Sequence, residues 1–217
     1  VKEVTVVEND STIISKHSKI PITKIITSTG LIPILFVIVL QGMLRDGITT
    51  WMPTFINETF KLSTSSSILT TTIVPIFSIV AVTLTRIFNK RVRNEIALST
   101  LIWGVAFISS IILLASLNSI IISIIAMSLI TACMHGINLL LIGNLPVKFL
   151  KYGKVSFISG LLNSCTYIGS SLSAYGIARL TEIFGWNVTI IVWIFIILVG
   201  GLLCASVIEK YKTQLLI

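Results

Sequence analysis

Residues 40–55 read LQGMLRDGITTWMPTF, and the charged residues of this stretch are Arg45 and Asp46. No charged residue stands at 25–44 or at 47–57. A membrane-spanning helix needs about 20 apolar residues. Charges inside such a helix are costly, and they normally face a protein interior or a water-filled cavity. The stretch therefore predicts a membrane helix whose charged pair takes part in moving a solute.

A second interpretation places Arg45 at the membrane surface, because residues 25–44 are long enough to cross a bilayer on their own. The sequence nevertheless stays largely apolar beyond Asp46. Trp51 and Pro53 follow, and they are typical of an interfacial anchor and a helix end. A span from about 31 to 55 would put Arg45 near its middle, and we favour this interpretation.

The overall composition indicates an integral membrane protein. Of the 217 residues, 54% are hydrophobic and 11% are charged. An ordinary soluble domain carries about 25% charged residues, so the composition excludes that class. The sequence begins at Val1 and has no short signal segment with a cleavage site. We therefore expect an internal piece of a longer protein.

Six apolar segments follow a polar N-terminal stretch. Each is long enough for a membrane helix, whereas the strands of a membrane barrel would be about half that length. The segments run over about 31–55, 66–88, 96–114, 120–145, 155–178 and 188–208. The predicted fold is an all-α membrane protein with six transmembrane helices. We expect a linker over 1–28, a helical bundle over 29–208 and a tail over 209–217.

Every second connector between these segments is basic. The N-terminal stretch and the tail are lysine-rich, and two inner connectors are basic, with Arg86, Lys90, Arg91 and Arg93 in one and Lys148, Lys151 and Lys154 in the other. Basic connectors of membrane proteins stay in the cytoplasm. Both termini are therefore predicted to be cytoplasmic. The net charge of +8 is explained by topology, so the lipid bilayer is the expected partner and nucleic acid is not.

Polar residues on the first segment form a candidate binding face. Gln41, Arg45 and Thr49 are spaced four apart, so they share one side of a helix. The planar guanidinium of arginine donates two parallel hydrogen bonds to a phosphate or carboxylate. This face is predicted to line a cavity for a small anionic solute. The alternative is a packing face, because polar residues also bond membrane helices together.

Two further pairs of polar residues are candidates for the same cavity. His135 and Asn138 are three apart in the fourth segment, and Asn163 and Tyr167 are four apart in the fifth. Histidine can bind an anion or relay a proton, and asparagine and tyrosine can hydrogen-bond a hydroxylated solute. Hydrogen bonds between helices are the alternative for both pairs.

The residues needed for catalysis or metal binding do not occur in a recognisable pattern. Cys133, Cys165 and Cys204 all lie in apolar segments, away from the close Cys and His spacing of a zinc site. The sequence has no glycine-rich phosphate loop of the ATPase type. We therefore expect no enzyme activity, no cofactor, no bound metal and no ATP-driven transport.

Several motifs resemble one family of carriers. The run Leu44-Arg45-x-Gly47-Ile48-x-x-Trp51-x-Pro53-Thr54, followed by Glu58, resembles the seventh helix of the organophosphate:phosphate antiporters, a branch of the major facilitator superfamily. The basic connector over 86–93 is similar to the superfamily's cytoplasmic loop between helices eight and nine. Ser159-Gly160-Leu161, Tyr167-Ile168-Gly169 and Glu182-x-x-Gly185-Trp186 resemble helix eleven and the turn into helix twelve.

This resemblance implies a twelve-helix carrier made of two six-helix halves, of which this chain is similar to the second. The solute site of such carriers lies near the membrane midplane between the halves. The resemblance implies that one arginine from each half clamps the phosphate, and Arg45 matches the arginine of the second half. The implied partners are the N-terminal six-helix half and a solute such as a sugar phosphate exchanged for phosphate, in a bacterial inner membrane.

Asp46 departs from the pattern, because the glycerol phosphate carriers have an aromatic residue there. Successive residues of a helix lie about 100° apart, so Arg45 and Asp46 need not touch. A carboxylate nearby would weaken the attraction for an anion, pair with a cation of the other half, or serve in proton coupling. Two alternatives therefore remain: a proton-coupled carrier of a neutral or cationic solute that uses Asp46, and an inactive half-carrier with a structural role only.

Overall fold

The computed structural model describes residues 26–27 and 30–214, with backbone alone at 151 and 212–214. All its regular elements in that part of the chain are helical. The predicted linker over 1–28 therefore lies almost wholly outside the described residues. The helices are α1 (Leu31–Phe60), α2 (Thr64–Thr70), α3 (Ile73–Val92), α4 (Glu95–Ala115), α5 (Ile120–Asn138), α6 (Val155–Ser206) and α7 (Ile208–Gln214). Between α5 and α6 the chain continues as a π-helix over Leu139–Asn144 and a 3₁₀-helix over Leu145–Tyr152.

Five helical segments of the described chain are long and apolar enough to cross a membrane, and the last of them is long enough to cross twice. Helix α6 has 52 residues. At 1.5 Å per residue it would be about 78 Å long, whereas the bilayer core is about 30 Å thick. Gly185 interrupts it with φ 76° and ψ 177°, a conformation open essentially to glycine alone. We call residues 155–184 arm A and residues 186–206 arm B.

The two arms of α6 lie side by side. A cavity of about 100 Å³ is lined by Leu172 and Ile177 of arm A, by Val192 and Ile196 of arm B, and by Leu44 of α1. A continuous straight helix could not bring residues so far apart in sequence around one cavity. The predicted all-α bundle of six membrane-crossing segments, typical of one half of a carrier, is therefore confirmed.

The second segment is divided where the sequence places threonines before a proline. Pro75 has no backbone N–H to donate to the carbonyl four residues earlier. The amide of Val74 bonds that carbonyl, Thr71 O, instead at 3.1 Å. The hydroxyls of Thr71 and Thr72 bond the carbonyls of Ile68 and Leu69 at 2.7 and 2.8 Å. The two threonine side chains therefore donate hydrogen bonds to backbone carbonyls at the break between α2 and α3.

Helix α1 continues past the residue that was expected to end it. Pro53 lies inside α1, which ends at Phe60 with Lys61 in the left-handed conformation. The expectation of a helix end at Pro53 is therefore wrong. A proline removes one backbone hydrogen bond, and membrane helices tolerate this loss when neighbouring groups compensate for it.

Glycines set the distance at which α6 packs against its neighbours. A Cβ on Gly169 would lie 2.0 Å from the carbonyl oxygen of Val39, and one on Gly42 would lie 2.3 Å from that of Thr166. Arm A therefore touches α1 backbone to backbone. Arm B packs on α4, where a Cβ on Gly200 would lie 2.7 Å from the Trp103 ring.

The connectors of the bundle gather at two opposite ends. At one end Lys148 forms an ion pair with Glu95, and Gly30 lies against the side chain of Lys210. At the other end the indole N–H of Trp186 donates to Glu58 Oε2 at 2.7 Å. The helices therefore run alternately up and down, and we call these the Lys148 end and the Trp186 end.

The outer surface of the bundle is strongly apolar. Phe36, Ile79, Ile121, Leu172 and Phe195 are each more than half exposed. Soluble proteins rarely expose large contiguous apolar patches. Together with the length of the helices, this surface indicates that the bundle is embedded in a lipid bilayer.

Candidate functional site

Arg45 and Asp46 form a two-pronged ion pair halfway along α1. Arg45 Nε donates to Asp46 Oδ1 at 2.6 Å, and Nη2 donates to Oδ2 at 2.8 Å. The side chains are 17% and 31% exposed. The sequence analysis expected only that Arg45 and Asp46 need not touch, so it did not predict this contact. Their Cβ atoms diverge by about 100°, but the arginine side chain is long enough to turn back to the carboxylate.

One edge of the guanidinium is still directed away from Asp46. Arginine has five N–H donors, and the recorded bonds of the Arg45 side chain use one on Nε and one on Nη2. The Nη1–Nη2 edge can therefore offer two parallel donors to a second anion. That anion would meet a guanidinium whose charge is already offset by Asp46.

Side chains from two other elements lie near the ion pair. His135 of α5 interacts electrostatically with both Arg45 and Asp46. The Ser170 hydroxyl of arm A lies beside the Asp46 carboxylate. Three segments that are distant in sequence therefore converge on the charged pair, and Ser170 is a neighbour that the sequence analysis did not identify.

A cavity of about 560 Å³ lies one helical turn beyond Arg45. Thr49 belongs to its wall, and the Thr49 hydroxyl donates to the carbonyl of Arg45 at 2.7 Å. His135 lines the same cavity. The rest of the lining comes from α3 and the turn before it: Thr71, Thr72, Val74, Pro75, Ser78 and Ile79. The structure thus brings Thr49 and His135 together beside the ion pair.

The hydroxyl groups of this cavity can act as acceptors. Thr49, Thr71, Thr72 and Ser78 each donate their proton to a backbone carbonyl three or four residues earlier. A hydroxyl oxygen that donates its proton in this way keeps lone pairs for another donor. The α2–α3 residues were not predicted as site residues, although the run of threonines before Pro75 was a visible signal for them.

Gln41 does not line this cavity. Its side chain is completely buried, and Nε2 donates to the carbonyl of Met134 in α5 at 3.0 Å. Its Oε1 has no hydrogen-bond partner in the described part of the structure. Gln41 therefore joins α1 to α5, which is the packing alternative of the sequence analysis.

The remaining predicted residues are not among those that line the cavity of Thr49 and His135. Asn138 is half-buried where α5 passes into the π-helix. Asn163 and Tyr167 are exposed on arm A, and Tyr167 lines an open groove of about 500 Å³ with Ser164 and Ser171. The structure therefore does not bring Asn163 and Tyr167 into the cavity of Thr49 and His135.

The comparison with known families covers the whole of this site. Residues 3–174 match the sequence model of the Major Facilitator Superfamily. This range is most of the chain, and it includes the ion pair, His135, Ser170 and the cavity between α1 and α3. No curated protein matches the chain. The match extends over far more than half of the sequence, and it agrees with the apolar six-segment bundle. The chain therefore belongs to the major facilitator superfamily of membrane transporters.

Proposed function

We propose that this chain is the second six-helix half of a secondary carrier that binds the anionic group of a small organic solute at Arg45. In this proposal residues 29–208 form the half-bundle, 1–28 is a cytoplasmic linker and 209–217 is a cytoplasmic tail. The observation that carries it is the guanidinium halfway along α1, beside the cavity of Thr49 and His135. Sugar phosphates exchanged for inorganic phosphate are the proposed solutes.

The chemistry of the site suits an anion attached to a hydroxylated body. The open edge of Arg45 can donate two parallel charge-assisted bonds to phosphate oxygens. The adjoining cavity, of about 560 Å³, is in the size range of small-molecule sites. Its hydroxyl oxygens can accept hydrogen bonds from the hydroxyl groups of a sugar. His135 adds a polar group between the Arg45 guanidinium and this cavity.

The missing wall of the site is proposed to come from a second six-helix half. Carriers built from two halves place the solute near the midplane between them, and the halves rock to open the site to either side. The side chains of Arg45 and Asp46 remain partly exposed in this chain. That exposure is what a residue facing a shared central cavity requires.

A cationic solute bound by Asp46 fits the geometry less well. Both carboxylate oxygens of Asp46 already accept bonds from Arg45, so the negative charge is offset. A cation would have to displace the guanidinium and leave it unpaired in a partly desolvated site, which is costly. The ion pair therefore favours an anionic over a cationic solute.

The test is Arg45→Lys in the complete carrier that contains this half, reconstituted in proteoliposomes with labelled inorganic phosphate. Lysine keeps the charge but cannot form the two parallel bonds. Losing a buried charged hydrogen bond costs about 2–5 kcal/mol, so phosphate counterflow should fall by roughly 30-fold or more. The initial rate of counterflow measures this loss.

Arg179→Lys is the matched control, because Arg179 is exposed and bonds Glu182 on the same arm. It should transport phosphate at the normal rate. Wild-type rates for Arg45→Lys, with normal thermal unfolding, would refute the role of Arg45. Absence of counterflow in the unsubstituted carrier, for phosphate and for sugar phosphates, would favour a half-carrier with a structural role only.

A further inference from the structure

We propose that Asp46 is the proton-coupling group of this carrier, and that an anionic solute binds Arg45 when Asp46 has taken up a proton. The solute anion and the proton would then cross the membrane together. This inference rests on the proposed function, because it requires that Arg45 binds an anion. It differs from simple phosphate exchange, in which no proton need move.

The first step of the argument is competition for one guanidinium. Asp46 occupies the Nε–Nη2 edge of Arg45 through both carboxylate oxygens. An anion on the remaining edge would share Nη2 with Asp46, so two negative charges would stand within a few ångströms of each other. The side chains are 17% and 31% exposed, so water screens this repulsion only in part.

The second step is the charge of the site. With Asp46 ionised, Arg45 and Asp46 together are neutral. A proton on one Asp46 oxygen makes the site positive by one charge, and a singly charged anion at Arg45 returns it to neutral. Both the empty site and the loaded site are then neutral, whereas a site holding the proton alone or the anion alone is charged. Net charge is costly at the membrane midplane, so the two neutral states are favoured for the transport step.

The third step concerns the other groups that act on Asp46. Among the described residues, Arg45 lies on the same helix, His135 faces the pair from α5, and Ser170 faces it from arm A. Ser170 does not titrate, and its hydroxyl lies where it can exchange hydrogen bonds with a protonated or an ionised Asp46. His135 is therefore the other group that can take up a proton at this site, and the experiment must separate it from Asp46.

Binding linkage gives the sign of the effect. If the anion binds the protonated site more tightly, the proton must bind the anion-loaded site more tightly by the same factor. Anion affinity should therefore fall as the pH rises, by up to about ten-fold per unit of pH above the titration of Asp46. At equilibrium, one proton moving with one anion gives about ten-fold accumulation per unit of pH gradient.

The experiment uses the complete carrier in proteoliposomes, with labelled inorganic phosphate as the probe and two readouts. Counterflow at equal pH on both sides tests whether the anion is transported. Accumulation driven by a pH gradient, acidic outside, tests the coupling. We expect the unsubstituted carrier to accumulate phosphate up to about ten-fold above Asp46→Asn for each unit of the gradient. The fall of counterflow with rising pH should also be smaller in the variant, where only the ionisation of phosphate contributes to it.

Phosphate itself ionises near neutral pH, and Asp46→Asn corrects for this because both proteins meet the same phosphate species. Glu182→Gln, at an exposed carboxylate of arm A, is the matched control and should behave as the unsubstituted carrier. His135→Gln should still respond to the gradient. Asp46→Glu keeps a titratable carboxylate and should retain coupling. It is the control for the case in which the asparagine variant misfolds.

The outcomes separate the two proposals. Absence of counterflow at every pH overturns the proposed function and this inference with it. Counterflow with equal accumulation in the unsubstituted carrier and Asp46→Asn overturns the inference alone. Coupling that is lost in His135→Gln and kept in Asp46→Asn assigns the proton to His135 and likewise overturns the role of Asp46.

Discussion

Two polar residues one turn apart on α1 have different surroundings. The Gln41 side chain is buried and donates to the backbone of Met134, whereas the Arg45 side chain stays in an accessible site. Polar groups inside a membrane helix must be bonded within the protein, because the lipid offers no partners. The Gln41 amide nitrogen meets this requirement through a neighbouring helix. Arg45 meets it through Asp46.

Gly169→Ala should weaken the contact between arm A and α1. The added Cβ would lie 2.0 Å from the carbonyl oxygen of Val39 and 2.9 Å from the amide of Met43, and neither backbone atom can move without shifting a helix. Overpacking of this kind typically costs about 1–3 kcal/mol. A lower unfolding temperature of the complete carrier in detergent is the expected result.

Gly160→Ala on the same arm is the control, because a Cβ there meets nothing within 4 Å in the part of the chain that the structure describes. Alanine is the better helix former by about 1 kcal/mol, so this variant should be unchanged or slightly more stable. Equal unfolding temperatures for the two variants would contradict the close backbone contact.

At the scale of elements, two local interruptions shape the helices around the site. The break between α2 and α3 places Thr71, Thr72 and Ser78 on one cavity wall. The break at Gly185 turns the chain so that arm B can pack on α4. The first break is stabilised by threonine hydroxyls, and the second depends on glycine alone.

Gly185→Ala should destabilise the turn between the arms. Its φ of 76° and ψ of 177° are strained for any residue with a Cβ, at a cost of about 1–3 kcal/mol. A Cβ at Gly185 would meet no atom of the described residues within 4 Å, so the effect would come from the backbone and not from a clash. Unfolding of the carrier in increasing denaturing detergent, followed by circular dichroism, measures the change.

Gly176→Ala is the comparison for this prediction, because Gly176 is helical and a Cβ there also meets none of the described atoms within 4 Å. It should not lower stability. If Gly185→Ala were as stable as Gly176→Ala, the turn would have to adopt another conformation without cost.

On the scale of the whole molecule, the distribution of charge divides the bundle into two ends. The Lys148 end carries Arg91 and Arg93, which stand in the same connector as Glu95. The Trp186 end carries Glu58 and the single lysine of its connector, Lys61. Such asymmetry orients membrane proteins with the basic end in the cytoplasm. Gly30 and Lys210 lie at the Lys148 end, so we expect both chain termini to be cytoplasmic.

Labelling with a membrane-impermeant maleimide tests this orientation in intact cells. In a background in which Cys133, Cys165 and Cys204 are replaced by serine, Lys61→Cys should react from outside and Arg91→Cys should react after permeabilisation. Both positions are exposed and lie beyond the apolar parts of their helices, so access depends on the side of the membrane. Labelling of Arg91→Cys in sealed cells would reverse the topology.

The number of spans, the up-and-down order and the helical class could be predicted because they depend on local properties. About 20 apolar residues in a row can satisfy their backbone only as a helix in lipid, and basic connectors fix the side of each turn. The break at Thr71 and Thr72 also depends on local residues, because the threonines stand just before Pro75. The continuation of α1 past Pro53 was not predicted, because packing against neighbouring helices outweighs the lost hydrogen bond.

The sequence by itself determined that this chain is a half-bundle of membrane helices with a charged pair halfway along the first. The tertiary structure alone decided that Arg45 bonds Asp46, that Gln41 bonds Met134, and that Thr49 and His135 share a cavity from which Asn163 and Tyr167 are absent. The physical reason is that apolar periodicity is weak in a helix surrounded by lipid. The rotation of each helix about its axis, and the torsions of long side chains, are therefore set by close contacts such as that of Gly169 with Val39.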